Sequence, residues 1–164
     1  MHSKRLTTLL FASYLLLLTW MIVFKMDMGL GFMPRLSFRS LNLIPLAGTA
    51  VYDGVLDYPE ILFNIFSFIP FGIYMEMLFK KASWVRNLSI ILLVSFLFEV
   101  IQYSFMIGVA DVTDLLANGF GGAIGINIMY ILTSIWKEKA YSTINCLGSL
   151  ITLISLVVIW FSVR

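Results

Sequence analysis

Glu99 is the residue whose type and position most clearly suggest chemistry. It lies deep in an apolar run, and helical spacing puts Ser95 and Gln102 on its face, at i, i+4 and i+7. A carboxyl group in so apolar a setting must face protein or water, where it can bind a ligand, a proton or a cation. Two interpretations stay open: a functional site, or structural hydrogen bonds from Glu99 and Gln102 to neighbouring helices.

Three further polar residues, Asp111, Asp114 and Asn118, stand at the start of the next apolar run. Asp111 as an N-cap, with Asp114 three residues on, would stabilise a helix start and its positive dipole end. Asn118 shares a face with Asp114 but lies one turn further into the apolar region, which capping does not require. We therefore place Asp114 and Asn118 in the candidate site and keep Asp111 as a secondary candidate.

Asn64 is the polar residue near the start of an earlier apolar run, and it joins the candidate site. Beyond it, Pro70 removes one backbone hydrogen bond and crowds the carbonyl of Phe66, which predicts a kink that serves packing. Glu76 lies four residues before Lys80, which predicts an ion pair at the membrane interface. Glu76 is therefore left out of the site.

Small residues recur every four positions at Ala117, Gly121 and Gly125. This small-xxx-small pattern is typical of membrane helices that approach one another closely. We assign Gly121 and Gly125, together with Pro70 and Gly72, to helix packing or kinking.

Composition excludes several kinds of site. The single histidine, His2, lies at the N-terminus and cannot build a helical metal motif or a common catalytic triad. The single cysteine, Cys146, allows no disulfide within the chain or thiolate metal site, and we expect it to be a small buried core residue. A scattered net charge of +2 gives no basic stripe for nucleic acid. We predict no catalytic residue, no metal and no cofactor, and no nucleic-acid partner.

The elements that position these residues are membrane spans. Of 164 residues, 60% are hydrophobic and 12% charged, and the mean hydropathy is +0.97, so the chain must be solvated by lipid. The sequence predicts an all-α membrane protein, a polytopic bundle of about five transmembrane helices in a single membrane domain, 1–164. The predicted spans are 6–24, 61–79, 88–107, 115–136 and 145–163.

Orientation follows from the basic residues, because positively charged short loops stay in the cytoplasm. Those on one side of a five-span arrangement are Lys4, Arg5, Lys80, Lys81, Arg86, Lys137 and Lys139. Those on the other side are Lys25, Arg35, Arg39 and Arg164. The N-terminus is therefore predicted to be cytoplasmic and the C-terminus outside.

In this orientation the candidate residues of three helices lie at one depth, near the outer surface. They are Asn64, Glu99, Gln102, Asp114 and Asn118. We predict an outward-facing pocket of carboxyl and amide groups, suited to a polar headgroup, a cation or a peptide-like ligand. The long connection 25–60 is apolar and rich in turn residues, and we expect it to fold back onto the membrane or the bundle.

Three segments together resemble the VanZ-like family of bacterial membrane proteins, over about 41–126. They are Asn42-Leu43-Ile44-Pro45, then Asn64 with Phe68-Ile69-Pro70-Phe71-Gly72, then Glu99-Val100-Ile101-Gln102 followed by Asp111, Asp114, Asn118, Gly121, Gly122 and Gly125. The resemblance makes Asn42 a secondary site candidate. It implies a multi-pass protein of the bacterial cytoplasmic membrane with a role at the outer face, in a family whose namesake is associated with teicoplanin resistance.

The chain departs from the family pattern at two places. Val109 and Ala110 follow Gly108, where many relatives have an arginine, so no cation is available there to pair with Asp111. Gly119 follows the asparagine, where relatives often have threonine.

Three functions fit these features. The one we favour is a cell-envelope protein that lowers susceptibility to teicoplanin-type lipoglycopeptide antibiotics without catalysis. A second is a membrane enzyme that acts on a lipid-linked envelope precursor, with Glu99 and Asp114 as acid and base. A third is a small transporter or its membrane subunit, with Glu99 as a proton or cation site. The partners would be the lipid bilayer and either a lipoglycopeptide or a lipid-linked cell-wall precursor, and the oligomeric state is open.

Overall fold

The described part of the chain forms five α-helices. A computed structural model describes residues 4–23, 40–46, 51–52, 55–56 and 58–162. The helices are α1 Lys4–Val23, α2 Tyr58–Leu78, α3 Trp84–Phe105, α4 Val112–Trp136 and α5 Glu138–Ser162. Each is long and apolar enough to cross a membrane, which confirms the prediction of about five such helices. The side of the membrane on which each terminus lies stays a prediction.

Each helix begins before its predicted apolar span, because polar residues take part in its first turn. Ser83 is the N-cap of α3, and its hydroxyl accepts a hydrogen bond from the Arg86 N–H at 3.2 Å. The fifth span was expected from residue 145, whereas α5 begins at Glu138. Lys137 alone separates α4 from α5, at a φ of 49°. Hydropathy detects the hydrocarbon-crossing part of a helix and not the polar turns that precede it.

Helices α2 and α4 form the most extensive contact of the bundle. A Cβ added at Gly121 or Gly125 would overlap the carbonyl oxygen of Ile65 or Ile69, and one at Gly72 would overlap the α4 backbone. The two helices are parallel, since residues further along α2 meet residues further along α4. The glycines assigned to packing thus lie where two backbones touch.

The core between α1, α2 and α3 contains a group of packed aromatic rings. Phe68 and Phe71 are fully buried and stack at 5.9 Å between ring centroids, and Phe11 from α1 packs on Phe71 at 5.4 Å. Helix α2 continues through Pro70 without a break. The Tyr14 hydroxyl donates a 2.6 Å hydrogen bond to the Ser67 carbonyl. Ser67 lies in the turn before Pro70, which has no backbone N–H to donate within the helix.

Helix α5 packs on α1 and α4 and leaves most of its surface exposed. Cys146 is exposed there, so the expectation of a buried core cysteine is wrong. An apolar run alone does not identify the buried face, because in lipid the outward face of a helix is equally apolar.

Four two-residue strands lie in the described parts of the loops. They are β1 Leu41–Asn42, β2 Val51–Tyr52, β3 Val55–Leu56 and β4 Ala110–Asp111. β2 and β3 pair as an antiparallel hairpin, and β1 pairs in parallel with β4, with Asn42 beside Asp111. Residues 40–46 of the long connection therefore return to the bundle. Its residues 25–39, 47–50, 53–54 and 57 lie outside the described residues.

Candidate functional site

Asp111 joins three parts of the chain at the junction of α3 and α4. Its backbone N–H donates to Glu99 Oε2 at 2.9 Å, and its Oδ2 accepts a 3.0 Å hydrogen bond from the Asn42 side-chain amide. Asp111 is 4% exposed and Glu99 is 6% exposed. Since a buried carboxylate needs hydrogen-bond donors, this network requires β1 to dock against the helix junction.

The same aspartate begins α4. Its Oδ1 accepts a 2.7 Å hydrogen bond from the Thr113 N–H, so the prediction that Asp111 is an N-cap is confirmed. The Thr113 hydroxyl in turn accepts from the Leu46 N–H at 3.0 Å, and Asn42 Oδ1 accepts from the Ile44 N–H at 3.1 Å. Residues 40–46 are therefore held at Asn42 by the Asp111 side chain and at Leu46 by the Thr113 side chain.

Asn118 and Ser95 connect α3 and α4 one turn deeper. Both are fully buried, and Asn118 Nδ2 donates to Ser95 Oγ at 2.9 Å. The two helices are antiparallel neighbours, so Glu99, one turn after Ser95, lies level with Asp114, one turn before Asn118. Asp114 is 6% exposed, like Glu99. Two buried carboxyl groups thus occupy the same level of one helix seam.

Gln102 turns toward α1. It is fully buried, and its Nε2 donates a 2.9 Å hydrogen bond to the Ile22 carbonyl. Ile22 is in the last turn of α1, where a helical carbonyl has no donor of its own. The contact leaves little room beside Gln102, because a Cβ at Gly108 would lie 3.2 Å from Nε2.

Asn64 lines a cavity between α1 and α2. The cavity has a volume of about 170 Å³, and its other described lining residues are Met21, Ile22, Glu60 and Phe63. Ile22 thus lies between the cavity and Gln102. Along the parallel α2–α4 pair, Asn64 precedes the Ile65–Gly121 contact by one residue and Asn118 precedes it by three. The two amides therefore differ in depth by about 3 Å.

The structure places the sequence-predicted residues in two adjoining groups. Asn42, Glu99 and Asp111 are linked directly, and Asp114 and Asn118 continue their helix seam. Asn64 and Gln102 instead flank the end of α1. Only Asn64 among the predicted site residues lines the cavity described above.

Several buried amide atoms of the site lack a hydrogen-bond partner among the described residues. They are Asn64 Nδ2, Gln102 Oε1 and Asn118 Oδ1. Leaving such a group unsatisfied costs about 1–3 kcal/mol, so native proteins keep few of them. Their concentration at one end of the bundle favours a site that receives polar groups from outside the chain.

Sequence reasoning missed a second polar group at the opposite end of the bundle. The Asn87 side-chain amide is fully buried and donates to Glu76 Oε2 at 3.3 Å. The Lys80 ammonium lies 5.8 Å from the centre of the Tyr141 ring, and its ion pair with Glu76 stays a prediction. Asn87 shares the helix face of Ser95, so the spacing that identified Glu99 could have found it.

The chemistry of the candidate site is that of carboxyl and amide groups, which bind N–H and O–H donors and cations. In the described ranges, no group of three or more His, Cys, Asp or Glu side chains is arranged to hold a metal ion.

Comparisons with known proteins identify the family of this chain. It is 30% identical over 156 residues to Protein VanZ of Enterococcus faecium, a match that covers 95% of this chain and 93% of that relative. No solved structure matches it. The sequence model of the VanZ/LLP1 family matches residues 11–133, which begin within α1, include α2 and α3 and end in the last turn of α4, beyond the segments that carried the resemblance. The chain therefore belongs to the VanZ/LLP1 family.

Proposed function

We propose that this protein lowers susceptibility to teicoplanin-type lipoglycopeptides from the outer face of the bacterial cytoplasmic membrane, without catalysis. Family membership supports the general role. The observation that carries the proposal is the link from Asn42 through Asp111 to Glu99, which fixes residues 40–46 over a buried acidic junction. In the proposed orientation this junction faces the cell exterior.

The surface beside the junction suits an amphiphilic ligand. Leu43 and Ile44 are 69% and 67% exposed, next to the anchored Asn42. Apolar side chains held at a membrane surface can contact acyl chains, while carboxyl and amide oxygens accept hydrogen bonds from sugar and peptide groups. Such a surface would compete with the bilayer and cell-wall precursors for a lipoglycopeptide and reduce its accumulation there.

The test is expression in a susceptible bacterial host, with susceptibility measured to teicoplanin and to vancomycin. Wild-type protein should raise the inhibitory concentration of teicoplanin more than that of vancomycin. Glu99→Gln, Asp114→Asn and Asn118→Leu should reduce that effect. Unchanged teicoplanin susceptibility with wild-type protein present in the membrane would refute the proposal.

Asn127→Leu is the matched control. Asn127 lies on the exposed face of α4, and its side-chain amide donates to the Ala123 carbonyl of its own helix. This variant should keep the wild-type effect. The abundance of every variant in the membrane is measured by immunoblot. A variant that loses the effect at wild-type abundance has a damaged site, whereas one of low abundance has failed to fold or insert.

One observation favours a second candidate, a membrane enzyme acting on a lipid-linked envelope precursor. Glu99 and Asp114 lie level on one seam, as an acid and base pair would require. Purified protein incubated with such a precursor should then give a product whose formation Glu99→Gln abolishes. Absence of turnover by the wild-type protein would leave the binding role as the better account.

A further inference from the structure

The cavity beside Asn64 has the size and lining of a binding site for part of an amphiphile. At about 170 Å³ it is a little larger than an engineered apolar cavity of about 150 Å³ that binds benzene. Its wall is apolar at Met21, Ile22 and Phe63, and polar at Glu60 and Asn64. It therefore fits a short length of hydrocarbon with one polar group, and not a whole antibiotic.

Asn64 indicates what that polar group is. The residue is 5% exposed, and its Nδ2 has no hydrogen-bond partner in the ranges that the structure describes. A buried N–H donor needs an acceptor, and a ligand that brings one recovers the cost of its burial. The ligand group next to Asn64 is thus an oxygen acceptor.

The position of the cavity fits a carbonyl oxygen. Met21 and Ile22 are in the last turn of α1, and Glu60 and Asn64 are in the first two turns of α2. The cavity therefore lies at the ends of two spans, where hydrocarbon gives way to the polar interface. The ester carbonyls of phospholipids lie at that depth in either leaflet, so the argument holds for both orientations of the chain.

We propose that this cavity binds the carbonyl end of an acyl chain. The carbonyl oxygen accepts a hydrogen bond from Asn64 Nδ2, and the first methylene groups lie against Met21 and Phe63. A phospholipid ester and an acylated peptide share this chemistry. The site does not depend on the proposed resistance role, since lipid binding can be present where resistance is absent.

The experiment is photolabelling of the purified full-length protein in detergent. The probe is a phosphatidylcholine with a diazirine near the carbonyl end of one acyl chain, titrated and then irradiated, with labelled positions identified by mass spectrometry. Labelling of Met21 and Phe63 should saturate, whereas labelling of Leu153, on the exposed face of α5, should rise in proportion to the probe.

Variants test the donor and the cavity separately. Asn64→Leu should raise the half-saturating concentration about fivefold, the value expected for one lost hydrogen bond, while Asn127→Leu leaves it unchanged. Phe63→Trp should fill the cavity and abolish saturable labelling of Met21. Labelling of Met21 that never saturates, or that saturates equally in Asn64→Leu, would overturn the proposal.

Competition identifies the source of the acyl chain. Teicoplanin, which carries an acyl group, and vancomycin, which has none, are added to the wild-type titration. Displacement of the probe by teicoplanin alone supports binding of an acylated ligand in this cavity. Displacement by neither supports a membrane phospholipid as the occupant. Displacement by both would overturn the assignment of the cavity to an acyl carbonyl.

Discussion

Asp111 combines three roles in a single residue: it caps α4, it holds Asn42, and its N–H reaches Glu99. Sequence could predict the cap, because a cap depends on residues close by in the chain. It could not predict the link to Asn42, because that partner is 69 residues away and lies in the short strand β1. Gln102 shows the same limit, since its partner is the backbone carbonyl of Ile22, which any residue could supply.

Asp111→Ala should lower the free energy of unfolding by about 1 kcal/mol through the lost cap. It should also release residues 40–46, because Asn42 loses its acceptor. Thermal unfolding in detergent measures the first effect. Hydrogen exchange at the Ile44 and Leu46 amides measures the second.

Asp111→Asn is the informative comparison. Asparagine caps helices nearly as well as aspartate, so most of the stability should return. Exchange at Ile44 and Leu46 that is equally slow in wild type and in Asp111→Ala would contradict the role of Asp111 in anchoring the loop.

At the scale of elements, hydropathy predicted the five helices because span length and apolar composition are properties of continuous sequence. It did not predict β1 and β4, because each is two residues long and the two are separated in sequence by α2 and α3. The spacing of the small residues indicated that α4 packs closely on another helix, and it did not identify which one. In the structure Gly121 and Gly125 lie against the Ile65 and Ile69 carbonyls, so the partner helix is α2.

Gly125→Ala should separate α2 from α4, because the new methyl group would overlap the rigid Ile69 carbonyl. We expect a loss of about 2 kcal/mol in stability. The matched control is Gly119→Ala, whose methyl group would meet the end of the flexible Leu92 side chain. Thermal unfolding of both variants should show a clearly larger loss for Gly125→Ala, and equal losses would argue against backbone contact at Gly125.

At the scale of the whole molecule, the predicted orientation rests on the distribution of lysine and arginine. The bundle has two polar ends: the Glu99 junction at one and the Asn87–Glu76 pair at the other. Which of them faces the cell exterior decides which one an external ligand can reach. Sequence predicts this from loop charges, and helix packing carries no information on it.

Cysteine labelling tests the orientation. In a Cys146→Ser background, Ile44→Cys should react with a membrane-impermeant maleimide in intact cells, whereas Lys81→Cys should react only after permeabilisation. Both positions are exposed, so access to the reagent depends on the side of the membrane. The reverse pattern would invert the bundle and place the Glu99 junction in the cytoplasm.

The pairing of Asn42 with Asp111 also sets an order of assembly. A ribosome synthesises Asn42 first and must add 69 residues, including all of α2 and α3, before Asp111 exists. In the predicted orientation, residues 40–46 therefore cross the membrane before their anchor has been made. The acidic junction closes only once the start of α4 has been made, so a chain truncated after α3 would insert three helices and still lack the site.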